Sequence, residues 1–343
     1  MKHQTTRYGE IPFYKIGTFG NTADAFISKK LFLEYKTKYS FPKKGDILIS
    51  ASGTIGRAVI YDGKPAYFQD SNIVWIDNDE TLVKNDFLFY AYSNVKWNTE
   101  HTTILRLYND NFRNTLIPLP PLNEQIAIAN ILSDLDRYLC ALDALILKKE
   151  GVKKSLSFEL LSQRKRLKGF NQAWQRVRLG DIANYLTSKL SVEQITQQGE
   201  IKVYDVNNFI GYTDTTFISD KPYISIVKDG SVGRVRILPP KTNILSTMGA
   251  LIANHRTTTE FLFYLLSNFD FKNFTSGSII PHIYFKDYKE KTIFLPPLNE
   301  QNAIANILSA LDNEIASLKN KKRQFENIKK ALNHDLMSAK IRV

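Results

Sequence analysis

Two hexapeptides, SGTIGR at 52–57 and DGSVGR at 229–234, place hydroxyl and guanidinium donors in a loop bracketed by glycines. Ser52, Thr54 and Arg57 in the first, and Ser231 and Arg234 in the second with Arg236 just beyond, suit phosphate oxygens and guanine edges. A scaffold turn explains the same pattern, because Gly53/Gly230 and Gly56/Gly233 supply backbone angles that other residues avoid. A second polar stretch follows each loop. Asn273, Thr275, Ser276 and Ser278 in KNFTSGS, with His282 and Tyr284, are candidates to reach base edges. Their aligned counterparts are Thr102, Thr103, Arg106 and Tyr108, and Gln69 and Asn72 are added readers. TTILRLY at 102–108 and SIIPHIY at 278–284 differ between the copies, as loops that discriminate between targets should.

Catalytic chemistry finds no comparable pattern. There is no Walker A, GxGxxG or HExxH, and one cysteine permits no CxxC. LPPL lacks the acidic or amide residue that precedes the prolines of an adenine-methyltransferase motif. The five histidines show no metal-ligand spacing. No catalytic residue and no metal site are expected.

Composition narrows the class. The 343 residues are 43% hydrophobic and 12% aromatic, enough for more than one packed core. No apolar run approaches a membrane span and the start has no signal-peptide pattern, so a cytoplasmic protein is expected. Cys140, next to Leu139, is expected to be a buried small hydrophobe. The net charge of +12 is spread evenly, with three more basic than acidic groups in each of 1–121, 122–168, 169–297 and 298–343. An even basic excess suits a long polyanion and equally suits simple solubility.

The elements that must position these loops are betrayed by a repeat. LPPLNEQIAIANILSDLD at 119–136 returns as LPPLNEQNAIANILSALD at 295–312, identical at 16 of 18 positions. FLFYAYSN at 87–94 returns as FLFYLLSN at 261–268. After each LPPLNEQ, apolar residues recur in steps of mostly four and three, from Ile128 to Leu160 and from Ile304 to Leu336. That spacing predicts two long helices of about 45 residues, each presenting a coiled-coil seam that its partner would cover. Lys149 and Lys322 interrupt the seam; they either fix its register or carry their charges out to solvent. Asn123 and Asn299 are candidate caps for the first turns, with Glu124 and Glu300 near the positive end.

The segments before the helices read as short strands punctuated by turns, with one helix near 84–96 and its equivalent near 258–269. The expected fold is α+β: domains at 1–121 and 169–297 alternate with helices at 122–168 and 298–343 that pair as an antiparallel coiled coil with pseudo-two-fold symmetry. Several repeated helix positions are polar: Asn123/Asn299, Glu124/Glu300, Gln125/Gln301, Asn130/Asn306 and Ser133/Ser309. A seam needs only apolar residues to match, so matched polar surface points to one kind of partner docking twice. Recent duplication produces the same match. The divergent domains would then read two short unlike DNA sequences, about one helical turn apart.

The IPLPPLNEQ passage at 117–125 and FLPPLNEQ at 294–301, each opening a long helix, carry a family resemblance together with RLKGFNQAWQRVRLGDI at 166–182, YISIVKDGSVGRV at 223–235 and the terminal SAKIRV. In this combination the chain resembles the specificity subunit of type I restriction–modification systems over essentially its whole length. The resemblance implies two target-recognition domains reading a bipartite asymmetric site in double-stranded DNA, and a coiled-coil ruler that docks two modification subunits. Restriction subunits complete the complex; S-adenosylmethionine, ATP and Mg belong to these partners, with no cofactor in this chain. A stand-alone DNA-binding regulator and a coiled-coil protein scaffold are the alternatives. One departure stands out: 27 residues run from Trp174 to the strand at Ile201, against ten before the aligned Ile11. The first domain is therefore expected to lack the counterpart of its partner's opening strand.

Overall fold

The computed structural model describes residues 4–68, 72–97 and 106–343. In chain order the first segment holds β1 (Ile11–Tyr14), β2 (Ala25–Ile27), α1 (Lys29–Lys38), β3 (Ile47–Ser50), β4 (Ala58–Ile60), β5 (Tyr67–Phe68), β6 (Ile73–Trp75), α2 (Asn85–Tyr92) and α3 (Asn109–Arg113). The long helix α4 (Leu122–Leu161) follows. The second segment holds β7 (Gln175–Arg178), β8 (Ala183–Thr187), β9 (Ile201–Tyr204), β10 (Phe209–Thr213), β11 (Tyr223–Val227), β12 (Val235–Leu238), β13 (Thr242–Ile244) and β14 (Met248–Ala253). It ends with α5 (Thr259–Ser267), β15 (Thr275–Ser276), β16 (His282–Ile283), α6 (Phe285–Tyr288) and β17 (Thr292–Leu295), ahead of the second long helix α7 (Leu298–Met337).

The repeat in the sequence is a repeat in topology. The first segment forms sheets ordered β2-β1-β5 and β4-β3-β6; the second forms β10-β9-β13 and β12-β11-β14-β8. In both, the first sheet combines one antiparallel and one parallel pairing, Ile11 with Ile27 and Phe13 with Tyr67, then Thr213 with Ile201 and Asn243 with Val203. The central strands β3 and β11 are buried along their whole length, as strands covered on both faces must be. The second segment adds β8 to its sheet and pairs β7 with β17. Close approach explains Gly249 here, since a Cβ at that position would lie 2.3 Å from the Tyr185 hydroxyl of β8. Among the described residues the first segment has three strands in the corresponding sheet, and Leu116, aligned with the first residue of β17, is 93% exposed.

The chain divides into two compact units, Met1–Asp143 with Asn320–Val343, and Ala144–Lys319. Each unit therefore holds one α+β head and a half of each long helix. Within the first unit, Asp143 meets Lys322 at 2.7 Å, Tyr138 packs on Phe325 with ring centroids 4.7 Å apart, and Asp136 meets Lys329. Rising numbers on α4 face falling numbers on α7, so the halves run antiparallel. The second unit repeats this with Lys149 on Glu314 at 2.7 Å, Glu150 on Lys319 at 2.6 Å, and Lys153 on Asp312. Lys149 and Lys322, the seam's two interruptions, both reach across to acids of the opposite helix, as register pins do. Hydrogen bonding to Asp143 raises the Lys322 pKa above its ordinary value.

Helices α4 and α7 are each 40 residues, about 60 Å at the α-helical rise, somewhat shorter than the pattern suggests. They begin at Leu122 and Leu298, so Asn123 and Asn299 sit inside the first turn rather than at its cap. Cys140 is exposed, contrary to the expectation of burial. Leu139 occupies the seam-facing position, and one residue further the helix has turned 100° toward solvent.

Each head is fastened to its helix by a buried glutamine. Gln125 Nε2 donates to the carbonyls of Leu82 and Pro120 at 3.1 and 2.8 Å, while its Oε1 accepts from the Lys84 N–H at 2.8 Å. Gln301 Nε2 donates to Arg256 and Pro296 at 2.9 and 2.8 Å, and its Oε1 accepts from the Thr258 N–H at 3.0 Å and the Thr257 hydroxyl at 2.9 Å. Above this clasp, α2 packs Phe87, Tyr90 and Ala91 on Ile128, Leu132, Leu336 and Met337. Correspondingly, α5 packs Phe261, Leu262 and Leu265 on Leu160, Ile304 and Leu308. The Tyr90 hydroxyl donates to Asp136 at 2.8 Å and the Tyr264 hydroxyl to Asp312 at 2.9 Å. Burial first, and then the adjacent carboxylate, raise both phenols far above their ordinary range, so both stay protonated donors.

Two stability predictions follow from these contacts. Gln301→Leu strands four polar partners, two of them in fully buried bonds, and will lower the unfolding free energy of the second unit by about 3 kcal/mol in urea titration. Arg166 donates to the fully buried Glu300 carboxylate at 2.6 Å, alongside the Trp174 indole at 2.9 Å. Arg166→Met leaves that charge without a counter-ion, and a loss of about 3–5 kcal/mol is expected by the same measurement.

Candidate nucleic-acid interface

The loop between β11 and β12 and the loop between β3 and β4 have the same construction. Gly230 and Gly233 take φ of 84° and 80°, and Gly53 and Gly56 take 67° and 80°. A Cβ on Gly233 would lie 2.5 Å from the Phe271 ring, and one on Gly56 would lie 2.2 Å from the Trp97 indole. Both glycines are thus demanded by backbone angle and by an aromatic lid, so the repeated motif is a scaffold turn. Scaffold and reading roles coexist because residues between the glycines still point out: Thr54 and Ser231 are exposed, as is Arg234 just beyond the second pair.

Each turn is joined to the second polar stretch. An isolated bridge pairs Asp229 with His282, and the Ile283 N–H donates to the Lys228 carbonyl at 2.9 Å. In the first unit the bridge pairs Ser52 with Arg106, and the Leu107 N–H donates to Ala51 at 2.8 Å. The two stretches aligned by sequence therefore lie side by side in each head, at corresponding positions. His282 Nδ1 is 2.7 Å from Asp229 Oδ1, and Tyr284 stacks on the imidazole with a 20° interplanar angle. Lys286 lies 5.5 Å from the Tyr284 ring, a cation that the sequence does not single out. Behind them, burial raises the Tyr185 pKa, with the Asp229 charge adding to the effect. Asn273, Thr275, Ser276 and Ser278 are all exposed on the hairpin β15–β16 or its approach. Tyr108, the counterpart of Tyr284, is exposed as well, and so is Arg106.

Four of the expected readers, Ser52, Asn72, Arg57 and Arg236, are engaged within the protein. Ser52 is buried and donates to Asn72 Oδ1 at 2.7 Å, so this pair ties the turn to the strand below it. Arg236 donates to the Asn207 carbonyl at 2.9 Å and stacks over Tyr204 at 5.2 Å. Arg57, though exposed, donates to the Phe19 carbonyl at 2.9 Å. Donors spent on the protein's own carbonyls hold the loop rather than a ligand. Gln69, Thr102 and Thr103 lie outside the described residues.

The repeated polar positions on the long helices divide in the same way. Gln125, Glu300 and Gln301 are buried and consumed by the clasp and the Arg166–Trp174 contact, so they offer nothing outward. Asn123, Asn130, Asn299 and Asn306 are exposed at matched positions. Glu124, Ser133 and Ser309 are half-buried. Sequence identity alone does not separate the two groups, because a buried amide and an exposed one are the same letter.

Among the described residues no cluster of acids, histidines and cysteine has metal-holding geometry, and no helix is long and apolar enough to cross a membrane.

Comparison with known proteins agrees with this architecture. The type I restriction modification DNA specificity domain family matches twice, at residues 1–149 and 171–327. A Haemophilus influenzae protein named as a type I restriction enzyme specificity subunit, S.HindORF215P, is 65% identical over 133 residues. That match covers 38% of this chain and spans about a third (34%) of the relative's length. The type I restriction enzyme MjaVIII specificity subunit of Methanocaldococcus jannaschii is 26% identical over 362 residues, covering 93% of this chain and 84% of that one. In fold, the chain is similar to the type I restriction–modification S subunit from M. genitalium, with a TM-score of 0.64 at 21% identity over 98% of this chain and 91% of that one. Two matched domains, each with the same scaffold turn and followed by a long helix, place the chain in the family of type I restriction modification DNA specificity proteins.

Proposed function

We propose that the chain is the DNA-reading subunit of a type I modification and restriction complex. Each head reads one half of a bipartite, asymmetric site in double-stranded DNA. The observation that carries this reading is the pairing, in both heads, of one invariant turn with a divergent stretch: Ser52 with Arg106, and Asp229 with His282. A common frame presenting different side chains is what two different half-sites require. The exposed asparagines at matched positions, Asn123/Asn299 and Asn130/Asn306, support docking of one modification subunit at each helix start. Methyl transfer with S-adenosylmethionine, and ATP- and Mg-dependent restriction, belong to partner subunits in this reading. The chain itself contributes recognition and assembly.

Co-expression with the modification subunit, followed by sequencing of methylated adenines, tests the proposal. A bipartite asymmetric motif is the expected result, and a palindromic or single-half motif would overturn it. In the same assay His282→Ala will relax recognition of one half-site and Arg106→Ala the other, each by roughly ten- to hundred-fold. Equal loss on all DNA would instead make the residue a phosphate contact. For docking, Asn299→Ala with Asn306→Ala will reduce the bound modification subunits from two to one by native mass spectrometry. Retention of both would move the docking surface elsewhere.

A further inference from the structure

The hairpin β15–β16 ends in an apex that the polar reading of this stretch does not use. Ile279 is 93% exposed and Ile280 54% exposed, and Pro281 follows them. Two adjacent branched aliphatics at the point of a surface hairpin forgo burial that the core next to them provides, since Ile283, three residues on in β16, is 1% exposed.

The apex stands on a stiff base. Gly277, at φ 90°, lets the turn close so tightly that a Cβ there would lie 2.2 Å from the Ile280 carbonyl oxygen. The Gly230 N–H donates to the Pro281 carbonyl at 2.9 Å, binding the hairpin to the scaffold turn. The His282–Asp229 contact at 2.7 Å locks the next residue. Around this base, Lys272, Asn273, Thr275, Ser276 and Ser278 are exposed, forming a polar collar with a cation on it.

We propose that Ile279 and Ile280 are an apolar wedge that inserts between adjacent base pairs of the half-site read by the second unit and partly unstacks them. The inference rests on the DNA-reading assignment and goes beyond it, naming the residues and the mode of contact. Apolar wedges that kink duplex DNA need stiff aliphatic side chains at a protruding point and donors behind them for the flanking phosphates. This hairpin supplies both. The apex side chains carry no hydrogen-bonding group, so they do not read base edges in the way that Arg or Asn does. A thymine-methyl contact would engage one aliphatic laid along the groove, whereas here two adjacent ones occupy the tip. Sensitivity to the deformability of the penetrated step then adds sequence preference without a hydrogen bond. The first unit's sequence also has adjacent aliphatics before its aligned Arg106, Ile104 and Leu105, which lie outside the described residues.

The test uses the full chain with its modification subunit and a duplex carrying the methylation-mapped site, with 2-aminopurine placed at successive steps of the second half-site. Wild type will raise the fluorescence at one step. The double variant Ile279→Ala with Ile280→Ala will abolish that rise and weaken cognate binding roughly ten- to hundred-fold. Its melting temperature and its salt-dependent non-specific binding will stay unchanged. The pair Ile279→Leu with Ile280→Met keeps apolar bulk and will retain the rise. A rise that persists in the alanine variant overturns the proposal. So does a loss of affinity reproduced by thymine-to-uracil replacement with no fluorescence change in wild type, which would mark methyl contact instead. Wild type showing no sequence preference at all would be a different result: it overturns the DNA-reading assignment itself, and the wedge with it.

Discussion

The hydrogen bonding of one buried glutamine amide governs how each head is held. A proline pair ends the extended chain and leaves a carbonyl facing the start of a helix, in a place that packing closes to water. Gln125 and Gln301 each supply the donor for that carbonyl, a second donor for the loop before α2 or α5, and the acceptor for the N–H of the residue just ahead of that helix. Side-chain amides have two donors and an acceptor in one plane, so a single residue completes three backbone groups at once. With the loop tied to the helix start, α2 and α5 have one way to lay their apolar faces on the long helices. The sheets they carry, and the polar turns beyond those sheets, inherit that orientation.

The second constraint is exchange of roles between the long helices. In the first unit Asp136 of α4 accepts from Tyr90 and pairs with Lys329 of α7. The second unit has Asp312 of α7 accepting from Tyr264 and pairing with Lys153 of α4. Antiparallel pairing of two helices that open on the same sequence makes this reciprocity automatic, because each helix start meets the other's end. One stretch of sequence can therefore be used twice without either copy becoming redundant. The heads differ most plainly where Asp229–His282 stands in place of Ser52–Arg106. On the helices themselves the copies also differ at one matched position, Glu300 being buried under Arg166 and Trp174 where Glu124 is half-buried.

Periodicity and repetition carry far in this protein. The long helices, their antiparallel pairing and the correspondence of 106–108 with 282–284 are legible because helix seams and duplicated segments leave local marks that alignment of the chain with itself reveals. Contact assignments fare differently. Arg236 reads as a donor beside a polar loop, yet its guanidinium closes on the Asn207 carbonyl and the Tyr204 ring. Gln125 and Gln301 read as repeated surface, yet they are the most enclosed amides of their helices. Ile279 and Ile280, apolar by type, stand in solvent.

The amino-acid chain alone discloses the alternation of heads and long helices, the duplication, the pairing of the two helices and the family resemblance. These depend on spacing along the chain, which one-dimensional pattern records. Folding in three dimensions settles which repeated polar residues face out and which donors are already occupied. It alone decided which hydrophobic residues are left at an apex. Those outcomes depend on what a side chain meets across tens or hundreds of residues, as Arg166 meets Glu300, and a hydrogen bond or a covered surface exists only once both partners are in place.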